Sequence, residues 1–274
     1  MFSSISKSAE ASRVSSELDL YRHRGWRGGF ILPHRAFVRL HIGPRRICEM
    51  FLLASAGVGS WLAVLPLVGR LWGYVFVFWG NHLGFRGDVL LAAQGWGYIH
   101  FALPCFTIAA GPATGFGWWI TTAVTVLAFA ASFLFGKEAV PWAYLLRAFC
   151  LLQATALGYF ALASARFPHD LPGYTVSMLV FSSILIGLVP VLYAFTFYLL
   201  NFSTRQKLFL TVATMAHLVV FVPHQYILHA YLLHGSVLFM PVLYFMFGPF
   251  LDILAFIGFY SWGMSWEGSE PLEI

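Results

Sequence analysis

The sequence predicts an all-α integral membrane protein, a bundle of about seven transmembrane helices, on three observations. Hydrophobic residues fill 59% of the 274 positions and charged residues only 10%, with a mean hydropathy of +0.77. Soluble domains carry roughly a quarter charged residues, so this chain has too little charge to cover a surface facing water. The apolar residues also fall in continuous runs near the roughly 20 residues that a spanning helix needs. A membrane barrel would instead alternate over segments of about ten residues. Finally, the runs are separated by short polar punctuation, with no room for a soluble domain between them. The 28 Phe, 12 Tyr and 10 Trp suit the hydrocarbon and its two interfaces.

Residues 1–47 read as a basic arm outside the membrane, 48–264 as the transmembrane domain and 265–274 as an acidic tail. The start, MFSSISKSAEASRVSS, has the Ser-rich, basic character of an organelle presequence, although Glu10, Glu17 and Asp19 depart from that pattern; it is expected to remain as an arm. Spans are predicted near 48–68, 89–112, 117–136, 140–165, 174–201, 207–233 and 236–263. The stretch 71–85 is short for a span. It either continues the first helix, lies at the interface or forms half of a hairpin, so eight spans also fit. Turn residues support the cuts: Arg86, Gly87 and Asp88; Gly111, Pro112 and Gly115; Lys137, Glu138 and Pro141; Arg166 to Pro172; Asn201 to Lys207; His234 and Gly235. Pro190, Pro223, Pro241 and Pro249 fall within spans, where neighbouring helices can satisfy the freed carbonyls.

Nine basic residues precede Ile47, and Glu267, Glu270 and Glu273 close the chain. The basic arm places the N-terminus on the cytoplasmic or matrix side, and seven spans would place the tail opposite. Nothing in the chain resembles a nucleic-acid-binding module. Cys48, Cys105 and Cys150 show no CxxC spacing and read as small apolar residues, not a disulfide framework.

Ionisable side chains within spans are costly and mark the places to look for chemistry. They are His100, Arg147, His217, His224, His229 and Asp252. His217 and His224 are seven residues apart, about two turns, so they share a helix face but lie roughly 10 Å apart along the axis. One metal ion cannot hold both. Two stacked haems could each take one, with His100 or His82 as partners from elsewhere; the alternative is that these histidines bond to carbonyls, water or headgroups. Asp252, near the middle of its span, is a relay carboxylate or a neutral hydrogen-bond donor. Arg147, a few residues from Pro141, is placed to snorkel to the interface. His217 and Asp252 are both expected to face protein rather than lipid. Walker A, HExxH, GxSxG and CxxC motifs are absent, so no catalytic centre is predicted.

Val212, Ala213, Thr214, Met215, Ala216 and His217, followed by Phe250, Leu251, Asp252 and Tyr260, Ser261, Trp262, Gly263, resemble the last two helices of cytochrome c oxidase subunit III. That family shows a V-A-T-x-x-H phrase in its sixth helix, and F-V-D with a later Y-W-x-G in its seventh. The family's second histidine falls on Val220 here. Phe78, Trp79 and His82 echo another of its phrases without the preceding glutamate. The resemblance covers about the last 70 residues. It implies a non-catalytic subunit of a haem–copper oxidase, with no cofactor of its own and with bound phospholipid. Its partners would be the other oxidase subunits, chiefly the catalytic subunit I, in the mitochondrial inner membrane or a bacterial inner membrane. The alternatives from the residues themselves are a b-type haem protein of quinone chemistry, using His100, His217 and His224, or a membrane transporter.

Overall fold

The computed structural model describes residues 44–85, 88–113, 115–164, 167, 169–197 and 203–266. Most of the basic arm, Arg86, Arg166 and the three glutamates of the tail lie outside those residues.

The chain is mostly helical. Helix α1 runs Pro44–Leu83, α2 Gly115–Ala131, α3 Val140–Ala163, α4 Leu171–Phe197, α5 Thr204–Gly235, α6 Met240–Met246 and α7 Pro249–Met264. Five segments are long and apolar enough to cross a bilayer, taking the stretch Val237–Met264 as one; α2 is apolar but shorter. The residues from 71 onward continue the first helix through Pro66.

One predicted span is overturned. Residues 89–112 do not form a helix: strands β1 (Val89–Trp96) and β2 (Ile99–Phe106) make an antiparallel hairpin, with Trp96 opposite Ile99. The cause is local. Gly97 sits at φ +60° at the first position of a two-residue loop, a conformation glycine adopts without steric cost. Gln94, Gly95 and Gly97 interrupt the apolar run, and Pro104 would have broken a helix at its second half. Strand β2 is largely buried while Leu90 and Leu91 of β1 are exposed.

Small residues set the packing, as expected where lipid tails supply no hydrophobic drive between helices. A Cβ on Gly57 would overlap Pro190, and one on Gly187 would come within 2.8 Å of Trp61, so α1 and α4 meet along a glycine seam. Trp61 Nε1 donates to the Ser183 carbonyl across it at 3.0 Å. Gly69 lies directly against the carbonyl of Ala102, which fixes the hairpin on α1. Backbone cannot yield as a flexible side chain does. Gly69→Val is therefore expected to lift the hairpin and cost about 1–3 kcal/mol, read as a lowered thermal unfolding midpoint in detergent. An unchanged midpoint would refute this seating.

The ends of the bundle are also placed. Lys207 Nζ lies 3.7 Å from Glu49, and Thr204 donates to Glu49 at 2.9 Å, so α1 begins beside the start of α5. Phe209 meets Trp262 and Trp266, so α7 ends there too. The expectation that the two chain ends leave from opposite sides is thus corrected at the level of the described helices: α1 starts and α7 stops at the same end. The hairpin folds back along α1, from Phe106 beside Gly80 to Ala102 beside Gly69, and so makes no crossing of its own.

Candidate functional site

The predicted span near 236–263 is broken. A 3-10 turn at Val237–Phe239 leads into α6, and the helix stops at Phe247 and restarts at Pro249 as α7. Pro249 supplies no N–H, and the carbonyls at the break need donors from elsewhere. Gln225, on α5 and 6% exposed, provides one: its Nε2 donates to the Phe247 carbonyl, and also to that of Gly248, which takes the backbone N–H of Leu251 as well. Gln153 does likewise for the Leu238 carbonyl at 3.1 Å.

Asp252 lies in the first turn of α7, where the helix N-terminus favours a negative or polar group. It is completely buried. Ser182 Oγ, from α4, donates to Asp252 Oδ2 at 2.7 Å and lies 3.0 Å from the Tyr226 hydroxyl of α5. One turn further along, the ring of His229 packs edge-on to Tyr226, and its Nδ1 lies 2.9 Å from the Tyr174 hydroxyl. Three helices thus converge on one polar centre in which Ser182, Gln225, Tyr226, His229, Tyr174 and Asp252 are all buried. Sequence reasoning singled out Asp252 and noted His229. It missed Ser182, Gln225, Tyr226 and Tyr174. The available signal was Gln225 itself, an amide in mid-span that needs partners, next to prolines at 223 and 249.

The other predicted residues do not join this centre. His217 is exposed on the outer face of α5, stacked on Phe221 with centroids 5.5 Å apart and against Phe259 at 5.1 Å. It therefore does not face the protein interior, as Asp252 does. His224 is also exposed; its Nδ1 pairs with the Val220 carbonyl of its own helix at 2.7 Å, with Trp79 edge-on. His82 similarly pairs with the Phe78 carbonyl, and Trp79 packs against its ring as well. His100 is exposed on the hairpin, opposite Gly95. His234 reaches the Ala109 carbonyl at 3.3 Å. Of the possible haem ligands, His82 and His224 are thus held by their own helices, and among the described residues no three His, Cys, Asp or Glu converge on a metal site.

Arg147 does not need headgroups. Its Nε donates to Ser132 Oγ at 3.0 Å and its Nη2 to the Ser132 carbonyl at 3.3 Å, with the guanidinium over the Phe133 ring. It closes the end of α2, where a cation is favoured. Cys105, on the hairpin, is buried; burial first, and the Asp170 charge second, raise its thiol above the ordinary value, which keeps it protonated and inert.

No protein-family model, no curated protein and no solved structure matches this chain.

Proposed function

We propose that this chain is a non-catalytic membrane subunit of a respiratory oxidase of the cytochrome c oxidase kind, in the position of its subunit III. The observation that carries this reading is the adjacency of the two phrases that resemble that family. His217, from the V-A-T phrase, packs on Phe259 of α7, and Leu210 fits against Gly263 of the Tyr-Ser-Trp-Gly phrase. Asp252, between them in sequence terms, turns inward while His217 turns outward. An outward histidine and aromatic face on α5 and α7 suits contact with the catalytic subunit I. The chain holds no cofactor in this reading, and the core subunit does the electron transfer and pumping.

Phospholipid has a place to bind. A cleft of about 310 Å³ between α1, α4 and α5 is walled by Leu53, Ala56, Pro190, Val212 and Met215, with Lys207 among its lining residues. Apolar walls suit an acyl chain and an ammonium suits a phosphate. The host membrane in this reading is the mitochondrial inner membrane, or a bacterial inner membrane, with the basic arm on the matrix or cytoplasmic side.

One observation favours a second reading, a transporter. A helix interrupted at mid-span with a carboxylate in its restarting turn is the arrangement carriers use to bind a substrate or coupling ion. Gentle extraction, native electrophoresis with haem staining and mass spectrometry of the band decide between them. Co-migration with haem–copper oxidase subunits is expected. Migration alone without haem would favour the carrier, and migration alone with haem would restore a b-type cytochrome.

A further inference from the structure

Strand β1 has one edge on β2 and one edge open. At the foot of the hairpin the Thr107 N–H donates to the Asp88 carbonyl at 3.1 Å. Bonded and non-bonded pairs alternate along antiparallel strands, so that bond and the one-to-one register fix the phase of the ladder. Leu90, Ala92, Gln94 and Trp96 turn their N–H and C=O groups to β2. Val89, Leu91, Ala93 and Gly95 turn theirs outward. Among the described residues no hydrogen bond reaches those outward groups. The outer edge of β2 is guarded: Pro104 offers no N–H there, and the Ala102 carbonyl lies against Gly69 of α1. On β1 the usual guards are missing. Its sequence, VLLAAQGW, has no charge and no proline, and it pairs without a bulge.

Neither solvent suits this edge. Leu90 is 55% exposed and Leu91 54%, with Ala93 and Gly95 exposed beside them. Lipid accepts those side chains but leaves the backbone groups unpaired. Water pairs the backbone but not the side chains. A second copy of this chain does not fit either. Antiparallel pairing of β1 with itself needs a two-fold axis normal to the sheet. The strands run along α1, from Ala102 beside Gly69 to Phe106 beside Gly80, so that axis would invert one copy in the membrane. A two-fold along the strands would set the same outward residues face to face, where parallel bonding needs them staggered. We propose that β1 is the docking edge for a strand of a different membrane protein. The occupant is an extended, uncharged, apolar segment that adds as a third strand beside Val89–Gly95 and takes up the outward N–H and C=O groups. The edge is open whether the assembly is an oxidase or another complex.

The test is amide hydrogen exchange of the full-length protein, measured in native membranes and again after purification and return to vesicles of the same lipids. The N–H groups of Leu91, Ala93 and Gly95 should exchange about tenfold or more slowly in the native membrane. Those of Ala92 and Gln94, bonded to β2, should be alike in both. Ala93→Pro is the second arm, because it removes an outward N–H and leaves the ladder to β2 intact. Its unfolding midpoint after purification should stay within about 2 °C of the parent, while its native complex is lost on native electrophoresis; Ala93→Val should keep the complex. Equal exchange in the two preparations would overturn the proposal, whether the edge is bare in both or covered by this chain in both. A folded proline variant that keeps the complex, or a complex holding only this chain, would overturn it as well. If the proline variant does not fold, the exchange comparison still decides.

Discussion

Replacing Trp72 by phenylalanine is expected to destabilise the protein by about 2–3 kcal/mol, and replacing Pro223 by alanine in the same chain should return much of that loss. Pro223 lies inside α5 and has no N–H, so the carbonyl four residues earlier, that of Val219, loses its helical donor. Trp72, fully buried on α1, donates its indole N–H to that carbonyl at 2.8 Å. The bond therefore joins two helices by repairing the defect that a proline makes in one of them. Trp72→Phe leaves the Val219 carbonyl orphaned inside the bundle and opens a small void. Pro223→Ala supplies a new backbone N–H to the same carbonyl. In the parent background that N–H finds its acceptor already used and should change stability little. A double-mutant cycle on the detergent-extracted protein should show a coupling of about 1–2 kcal/mol. Equal effects of Pro223→Ala with and without Trp72 would remove the argument.

Gln225→Leu should have a comparable effect, for a related reason. Leucine preserves most of the volume but donates nothing, so the Phe247 carbonyl loses its Gln225 donor at a buried break, while the Gly248 carbonyl keeps the backbone N–H of Leu251. Such a loss costs about 1–3 kcal/mol, and a fall of about 2 kcal/mol is expected. Gln225→Glu tests the direction of the donors, since an ionised glutamate presents only acceptors to those carbonyls. It should be at least as damaging at neutral pH and partly recover as the medium is acidified. Thermal unfolding of both variants, compared with the parent, checks this; a glutamate variant as stable as the parent at neutral pH would mean that the break is held by something other than Gln225.

The solvent of this protein was legible from composition, and most of its helices from the length of their apolar runs. The runs near 140–165, 174–201 and 207–233 correspond to α3, α4 and α5 with ends moved by a few residues, as caps and fraying dictate. The hairpin was not found, because hydropathy summed over 89–112 cannot tell a helix from two strands. The deciding information was a single glycine followed by Tyr98 between two apolar octets, with a proline in the second. The seventh span was located correctly but its break was not, although Phe247, Gly248 and Pro249 stand together there. At the site, Asp252 stood out because a carboxylate in hydrocarbon is costly. Ser182, Tyr226 and Tyr174 did not, because hydroxyls are common in spans and their convergence depends on how α4, α5 and α7 are rotated against one another. His217 and His224 were misleading for the same reason: shared spacing on one helix says which face they occupy, not whether that face meets protein.

The hairpin also constrains the order in which the chain can be built. A nascent helix can leave the translocation channel for lipid alone, since its backbone is satisfied internally, but a two-stranded sheet retains unpaired edges that hydrocarbon does not tolerate. Strands β1 and β2 emerge after α1, yet the surfaces that bury β2 belong to both α1 and the much later α4. The burial of β2 therefore stays incomplete until Leu171–Phe197 has been synthesised and has docked at its glycine seam. Completion of this fold is consequently not strictly sequential.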